Sequence, residues 1–420
     1  MRKIYILIVI FLLYFINTAH SQNILTWKDC VVEAKKDHPD LISAAEKVKQ
    51  AREDKVIEIS SMLPQIDGTV SGKSAKATTG ATTDTYLYSV TGEQLIFDGF
   101  KTLHDISSSS KTFKAEEYNY KVTSSNIRLN LRNSFIGLLR AQELAILTKD
   151  IAERRRQNLK LVKLRYEAGR EHKGSLLTAE ADLANAEYEV KQAERNIVLY
   201  QRELSKEMGL EKMDLMSVKG EFSLARDYDI KPDIENLADT TPFLQELIAE
   251  KEAARYDLKS EQADFLPQVY LNGSAGKSSD DWPPRSDTWS FGVSVSLPIF
   301  EGGSRIAEVR KAKSKLRQAE SEERSGKDSV LVTLETTWKD LIDSIENVSV
   351  REKFFEASEE RAKITQAQYE TGLISFDDWI IIEDNFVNAK KSYLNTQANM
   401  MITEAYWIQA IGGTLEYDEK

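Results

Sequence analysis

Four histidines, one cysteine and seven methionines are the residues of this 420-residue chain best suited to exchange protons or ligate a metal. They do not converge. His20 falls in the N-terminal segment that precedes Gln22, while His38, His104 and His172 fall on an opening helix, at a strand-to-helix junction and at the turn between two long helices. The sequence contains no His and carboxylate spacing of a metal site, no glycine loop that cradles phosphate and no serine elbow. Met208, Met213 and Met216 lie close together, and Met400 adjoins Met401. Their ordinary use is apolar packing. Cys30 follows Trp27, Lys28 and Asp29, unlike a lipid-attachment motif, and as the single cysteine it excludes an intrachain disulfide. The 67 acidic residues read as solvated helix faces, because nothing places two of them in one pocket. No catalytic residue, metal ligand or cofactor is nominated, and the chain is not read as an enzyme.

The elements that carry these residues begin with an export signal. Arg2 and Lys3 precede an apolar run from Ile4 to Ile16, then the small residues Ala19 and Ser21. This is the pattern of a signal peptide over residues 1–21, and the run is short of the roughly 20 apolar residues of a spanning helix. Losing Arg2 and Lys3 from the 56 basic residues leaves 54 against 67 acidic ones, a net charge of −13. Such a surface repels nucleic acid. With no later apolar run of spanning length, the exported chain is either soluble or a β-barrel, whose lipid-facing residues alternate with polar ones.

An offset of 203 residues organises the rest. It carries Leu63 and Pro64 to Leu266 and Pro267, Phe97 to Phe300, Gly169 to Gly372, and Gly209 to Gly412. The chain is a tandem duplication, with repeats at 22–220 and 221–420. In each, apolar residues at steps of three and four mark a short opening helix (27–62; 234–265), a very long one (101–168; 304–371) and a return helix (175–208; 375–411). Glycine at 169 and 372 marks the turn of a helical hairpin. Helices alone would also suit a coiled-coil spacer.

The segments at 65–97 and 268–300 count by two. In the second, Trp289, Phe291, Val293, Val295 and Leu297 share one face, and Ser290, Gly292, Ser294 and Ser296 the other. Each segment reads as a β-hairpin whose strands have the length and alternation of transmembrane strands. A soluble hairpin packed on its own helices is the other reading. If the strands enter lipid, four of them cannot close, so the chain must oligomerise. Three copies give twelve strands and a lumen.

In these features the chain resembles the TolC-like outer-membrane efflux proteins over essentially its whole mature length. The resemblance rests on the duplication, on "LPQ" at Leu63, Pro64 and Leu266, Pro267 before each hairpin, on "LIFDGF" and "LPIFEGG" at the strand-to-helix junctions, and on "YEAG" and "YETG" at the turns. It implies a mixed, mainly α fold: a homotrimer with a trimeric α-barrel in the periplasm and a twelve-stranded β-barrel in the outer membrane of a Gram-negative cell. The implied function is a passive exit duct of a tripartite efflux pump or type I secretion system. Its tips, here Tyr166, Gly169, Arg170, Tyr369, Gly372 and Leu373, would dock a periplasmic adaptor (membrane fusion) protein linked to an inner-membrane transporter. Its gate carries over to Asp378 and Tyr369 only, since Ile381, Ile374 and Ser175 stand where the family often has aspartate, arginine and aspartate. Asp378 also suits the first turn of its helix. A soluble periplasmic adaptor or scaffold is the alternative function.

Overall fold

A computed structural model describes residues 24–417 apart from Ala77, Thr79, Ala81, Met213 and Asp214. The signal-peptide segment 1–21 and Met213 lie outside the described residues. In chain order the elements are β1 (Ile24–Leu25), α1 (Trp27–Asp37), α2 (Pro39–Ser60), β2 (Gln65–Lys76), β3 (Thr82–Phe97), α3 (Lys101–Glu167), α4 (Lys173–Glu207) and β4 (Ser217–Val218), followed by α5 (Ile234–Thr240), α6 (Pro242–Ala263), β5 (Gln268–Ser279), β6 (Ser286–Ser296), α7 (Ser304–Thr371) and α8 (Phe376–Ala410).

Each opening stretch, expected at 27–62 and 234–265 with a proline near its start, is two helices that divide at that proline. Proline has no amide to donate and pushes the residue before it out of the helical region. His38 before Pro39 has ψ 119°, and Thr241 before Pro242 has ψ 137°. The first break leaves α1 with its own start, a capping box in which Thr26 and Asp29 satisfy each other's amides.

α3 and α7 run for 67 and 68 residues without a break, about 100 Å each at 1.5 Å per residue. Each ends at a glycine of positive φ, 68° at Gly169 and 79° at Gly372. The next amide then reaches back to the carbonyl five residues earlier, Arg170 to Arg165 and Leu373 to Gln368, both at 2.8 Å. A left-handed residue is what lets the chain make that bond, which is why glycine holds both positions.

The contacts divide the chain into two compact units. Of the described residues, one unit contains 24–39, Ser125–Lys231 and 335–417; the other contains Asp40–Ser124 and Pro232–Leu334. The first holds the two helical hairpins. Its apolar layers include Leu147, Ile151, Ala152, Ala186 and Val387, and separately Val162, Ala179, Tyr369, Phe376 and Trp379. Arg154 donates two bonds, at 2.6 and 2.7 Å, to the buried Glu383 carboxylate. β1 pairs in parallel with β4, and the Gln142 side chain bonds both the N–H and the C=O of Val218.

The second unit holds one antiparallel sheet in the order β2-β3-β5-β6, so the two hairpins join through β3 and β5. β3 reaches Phe97 after a bulge near Leu95, whereas β6 stops at Ser296, short of the expected 300. The last residues of β3 pair with Leu271, Tyr270 and Val269 of β5, while the outer edge of β6 has no strand beside it among the described residues. Leu297 therefore lies one residue beyond its strand.

Candidate functional site

The sheet register assembles two unlike faces. Residues directly opposite in an antiparallel pair share a face. Val70 opposes Tyr88, Val90 opposes Ala275, Leu271 opposes Val293, and Val269 opposes Val295, so one apolar face runs across all four strands. Trp289 on it is 80% exposed, and Phe291, Val293 and Val295 are at least 65% exposed. Among the described residues no helix covers these side chains, as a soluble hairpin packed on its own helices would require. Trp282, in the β5–β6 loop, stacks edge-on against Tyr86 and Tyr88 at the end of that face. The opposite face is polar: Thr91 opposes Ser274, Glu93 opposes Asn272, and Ser274 bonds Ser290 at 2.8 Å.

The "LPQ" and junction motifs explain themselves at the foot of this sheet. Pro64 follows the turn that closes α2, and the Gln65 side chain donates to the Ser60 carbonyl at 3.0 Å, which also accepts the Leu63 amide at 3.0 Å. Gly99 permits the two halves to meet, because a Cβ there would lie 2.6 Å from Leu266 Cβ and 2.8 Å from the Ala263 carbonyl. Asp264 then ties both long helices, accepting from Lys101 at 2.8 Å and Arg305 at 2.6 Å.

At the hairpin turns the structure separates the expected residues. Leu373 is 76% exposed, and Tyr166, Gly169, Arg170 and Gly372 are exposed with it. Tyr369 is fully buried and does not belong to the tip surface. Its ring stacks on Trp379 with centroids 4.3 Å apart, and its hydroxyl donates to Glu171 Oε2 at 2.9 Å. Arg165 donates to the Tyr369 carbonyl at 2.6 Å and lies 4.5 Å from its ring centroid. Burial would raise the Glu171 carboxyl, but bonds from Ser175, Tyr369 and the His172 amide outweigh it and hold it below its ordinary value. Burial and the Glu171 bond push the Tyr369 phenol upward. Tyr369 thus joins the second hairpin to Glu171 of the first.

Asp378 is exposed and sits in the first turn of α8, where Ser375, the N-cap, bonds both its amide and its carboxylate. Seven residues on from Asp378 begins a stripe spaced by three and four: Asn385, Asn388, Ser392, Asn395 and Asn399. It is polar, uncharged and largely exposed, unlike the charged faces of the other long helices. Part of it, with Arg140 and Asn347, lines a groove of about 620 Å³. Sequence reasoning missed this stripe, although its spacing was there to be read. It also missed Glu171, Arg165 and Trp379.

The remaining reactive side chains are committed elsewhere. His38 is buried at the break between α1 and α2, His104 lies 6.3 Å from the Tyr256 ring, and His172 caps α4 by accepting the Ser175 amide at 3.2 Å. Cys30 is 0% exposed, and burial pushes its thiol up to about 12. Met208, Met216, Met400 and Met401 are buried in packing. Among the described residues no group of three or more His, Cys, Asp or Glu is arranged to hold a metal, and no helix is long and apolar enough to cross a membrane.

A four-stranded sheet with one bare apolar face and one polar face, in a chain that also carries two helical hairpins, defines a β-barrel channel protein. Residues 30–210 and 234–413 both match the outer membrane efflux protein family, and the chain belongs to it. Its place is the outer membrane of a Gram-negative cell. It is 24% identical over 325 residues to the outer membrane efflux protein BepC of Brucella suis biovar 1, covering 75% of this chain and 70% of that one. It is 24% identical over 246 residues to the alkaline protease secretion protein AprF of Pseudomonas aeruginosa, covering 56% of this chain and 50% of that one. The fold matches the outer membrane channel CmeC of Campylobacter jejuni with a TM-score of 0.83 at 21% identity, over 92% of this chain and 85% of that one.

Proposed function

We propose that this protein is the passive outer-membrane exit duct of a tripartite efflux pump or type I secretion assembly, working as a homotrimer. The observation that carries the reading is the apolar face continuous over four strands whose two outer edges are unpaired. Hydrocarbon tolerates no open edge, and three copies close a barrel of twelve strands wide enough for a lumen.

The other parts fit that use. The exposed turns at Gly169 and Gly372 are the surface offered to a periplasmic adaptor that couples the duct to an inner-membrane transporter. The stripe from Asn385 through Asn399 supplies an uncharged, hydrogen-bonding wall for the conduit, entered past a ring of three Asp378 carboxylates. The Tyr369 to Glu171 clasp holds the entrance closed by joining the second hairpin to the first. Relatives named for efflux and for protease secretion support a duct whose cargo is chosen by its transporter.

Purification from outer membranes in detergent tests the reading. A trimeric mass together with ion-conducting channels in planar bilayers is the expected result. Recovery in the soluble periplasmic fraction, or a non-conducting monomer, overturns it.

A further inference from the structure

The long helix α3 contains a single glycine, Gly137, in mid-helix, where only proline is less favourable. Its use is steric. A Cβ there would lie 2.8 Å from Tyr200 Cδ1, so the ring of Tyr200, on α4, rests directly on the α3 backbone. One turn further along α3, Arg140 donates to the Tyr200 hydroxyl at 2.9 Å, and its guanidinium carbon lies 5.9 Å from the ring centroid. The bare backbone at Gly137 thus seats a ring that holds the guanidinium from one side. Among the described residues Arg140 makes this one hydrogen bond and no ion pair.

Arg140 lines the groove of about 620 Å³ together with Asn347 of α7 and Asn388, Ser392, Asn395 and Asn399 of α8. No carboxylate is among the residues that line it. The other cation there, Lys391, is neutralised by Glu189 at 2.7 Å. Arg140 is therefore the uncompensated charge of the groove. The 203-residue offset takes Gly137, Arg140 and Tyr200 to Asp340, Asp343 and Thr403, and the Asp343 carboxylate accepts from Lys339 at 2.9 Å. The seated guanidinium is thus not part of the framework that the two repeats share.

Resting on the reading of the α8 stripe as a wall of the conduit, we infer that this groove is a transit site for organic anions. A carboxylate, sulfonate or phosphate group of the solute sits on Arg140, and its body lies along Asn388, Asn395 and Asn399. A planar guanidinium fork matches such oxyanions two bonds at a time. Carboxamides both donate and accept, so the wall suits solutes that carry hydroxyls or amides. The volume falls within the roughly 300–1,000 Å³ of small-molecule sites, so a whole solute fits and not only a bare ion. Asn388, Asn395 and Asn399 are exposed, and a single charge on an open wall holds its ligand weakly enough to release it.

Titration calorimetry of the full-length protein in detergent tests the site, with gluconate as the hydroxylated anion and glucose as its uncharged control. Gluconate should bind and glucose should not. Arg140→Gln should weaken gluconate by about tenfold or more, the share of a hydrogen bond to a charged group. Asn395→Asp, an exposed change that leaves Arg140 in place, should weaken it as well. In planar bilayers gluconate should reduce the single-channel current, and Arg140→Gln should abolish the reduction. Equal affinity in Arg140→Gln and the unmodified protein, or no binding of gluconate, overturns the inference and leaves the duct standing. Binding that depends on Arg140 but leaves the current unchanged overturns its place in transit. Absence of channels overturns the duct reading itself.

Discussion

The Tyr369 hydroxyl bonds the Glu171 carboxylate at 2.9 Å, joining residues 198 positions apart, one from each helical hairpin. Tyr369 is held from three other sides as well, by the Trp379 ring, by Phe376 and by Arg165. The clasp therefore has a packing part and a polar part, and they can be separated.

Tyr369→Phe keeps the stack and removes the polar part. A hydrogen bond to a charged group contributes about 1.5–3 kcal/mol. Thermal stability of the purified protein should fall slightly, while open probability in planar bilayers rises. Glu171→Gln should act in the same direction and add little when combined with Tyr369→Phe, because both remove one interaction.

Acid should loosen the same clasp. The folded-state Glu171 value lies below its ordinary 4.5, so its stabilising contribution is complete above pH 4.5 and is lost as pH falls through the lowered value. Open probability should be flat from pH 7 to pH 5 and rise only below that. Glu171→Gln should remove the rise.

Glu383 is 1% exposed and bonded twice by Arg154. Arg154→Met leaves a buried carboxylate uncompensated and should cost about 3–5 kcal/mol, whereas Arg154→Met with Glu383→Leu should be close to neutral. Differential scanning calorimetry of the two variants checks the ordering.

Val293 and Ser294 are neighbours on opposite faces of β6. Val293→Arg puts a cation on the apolar face and should cost about 2–4 kcal/mol near the bilayer midplane, seen as loss of assembled protein in the outer membrane. Ser294→Arg should assemble and instead reduce the preference for cations in single-channel recordings.

Asp378→Ala should lower cation selectivity, and Asn395→Asp should raise it, if the stripe on α8 lines the conduit. Reversal potentials under a salt gradient measure both. Equal values for Asn395→Asp and the unmodified protein would remove Asn395 from the wall.

The sequence alone determined the period, the helical hairpins and the alternating strands. These rest on local rules: proline breaks at 39 and 242, glycine turns at 169 and 372, and side-chain alternation from Trp289 to Val295. Tertiary structure decided what depends on residues far apart. It turned Tyr369 inward, since only the packed hairpins bring Trp379, Arg165 and Glu171 around it. It buried Glu383 under Arg154 while leaving Glu180, its counterpart 203 residues earlier, exposed. The register across β3 and β5, a pairing between the two repeats that no local pattern specifies, gathered the apolar residues of four strands onto one face.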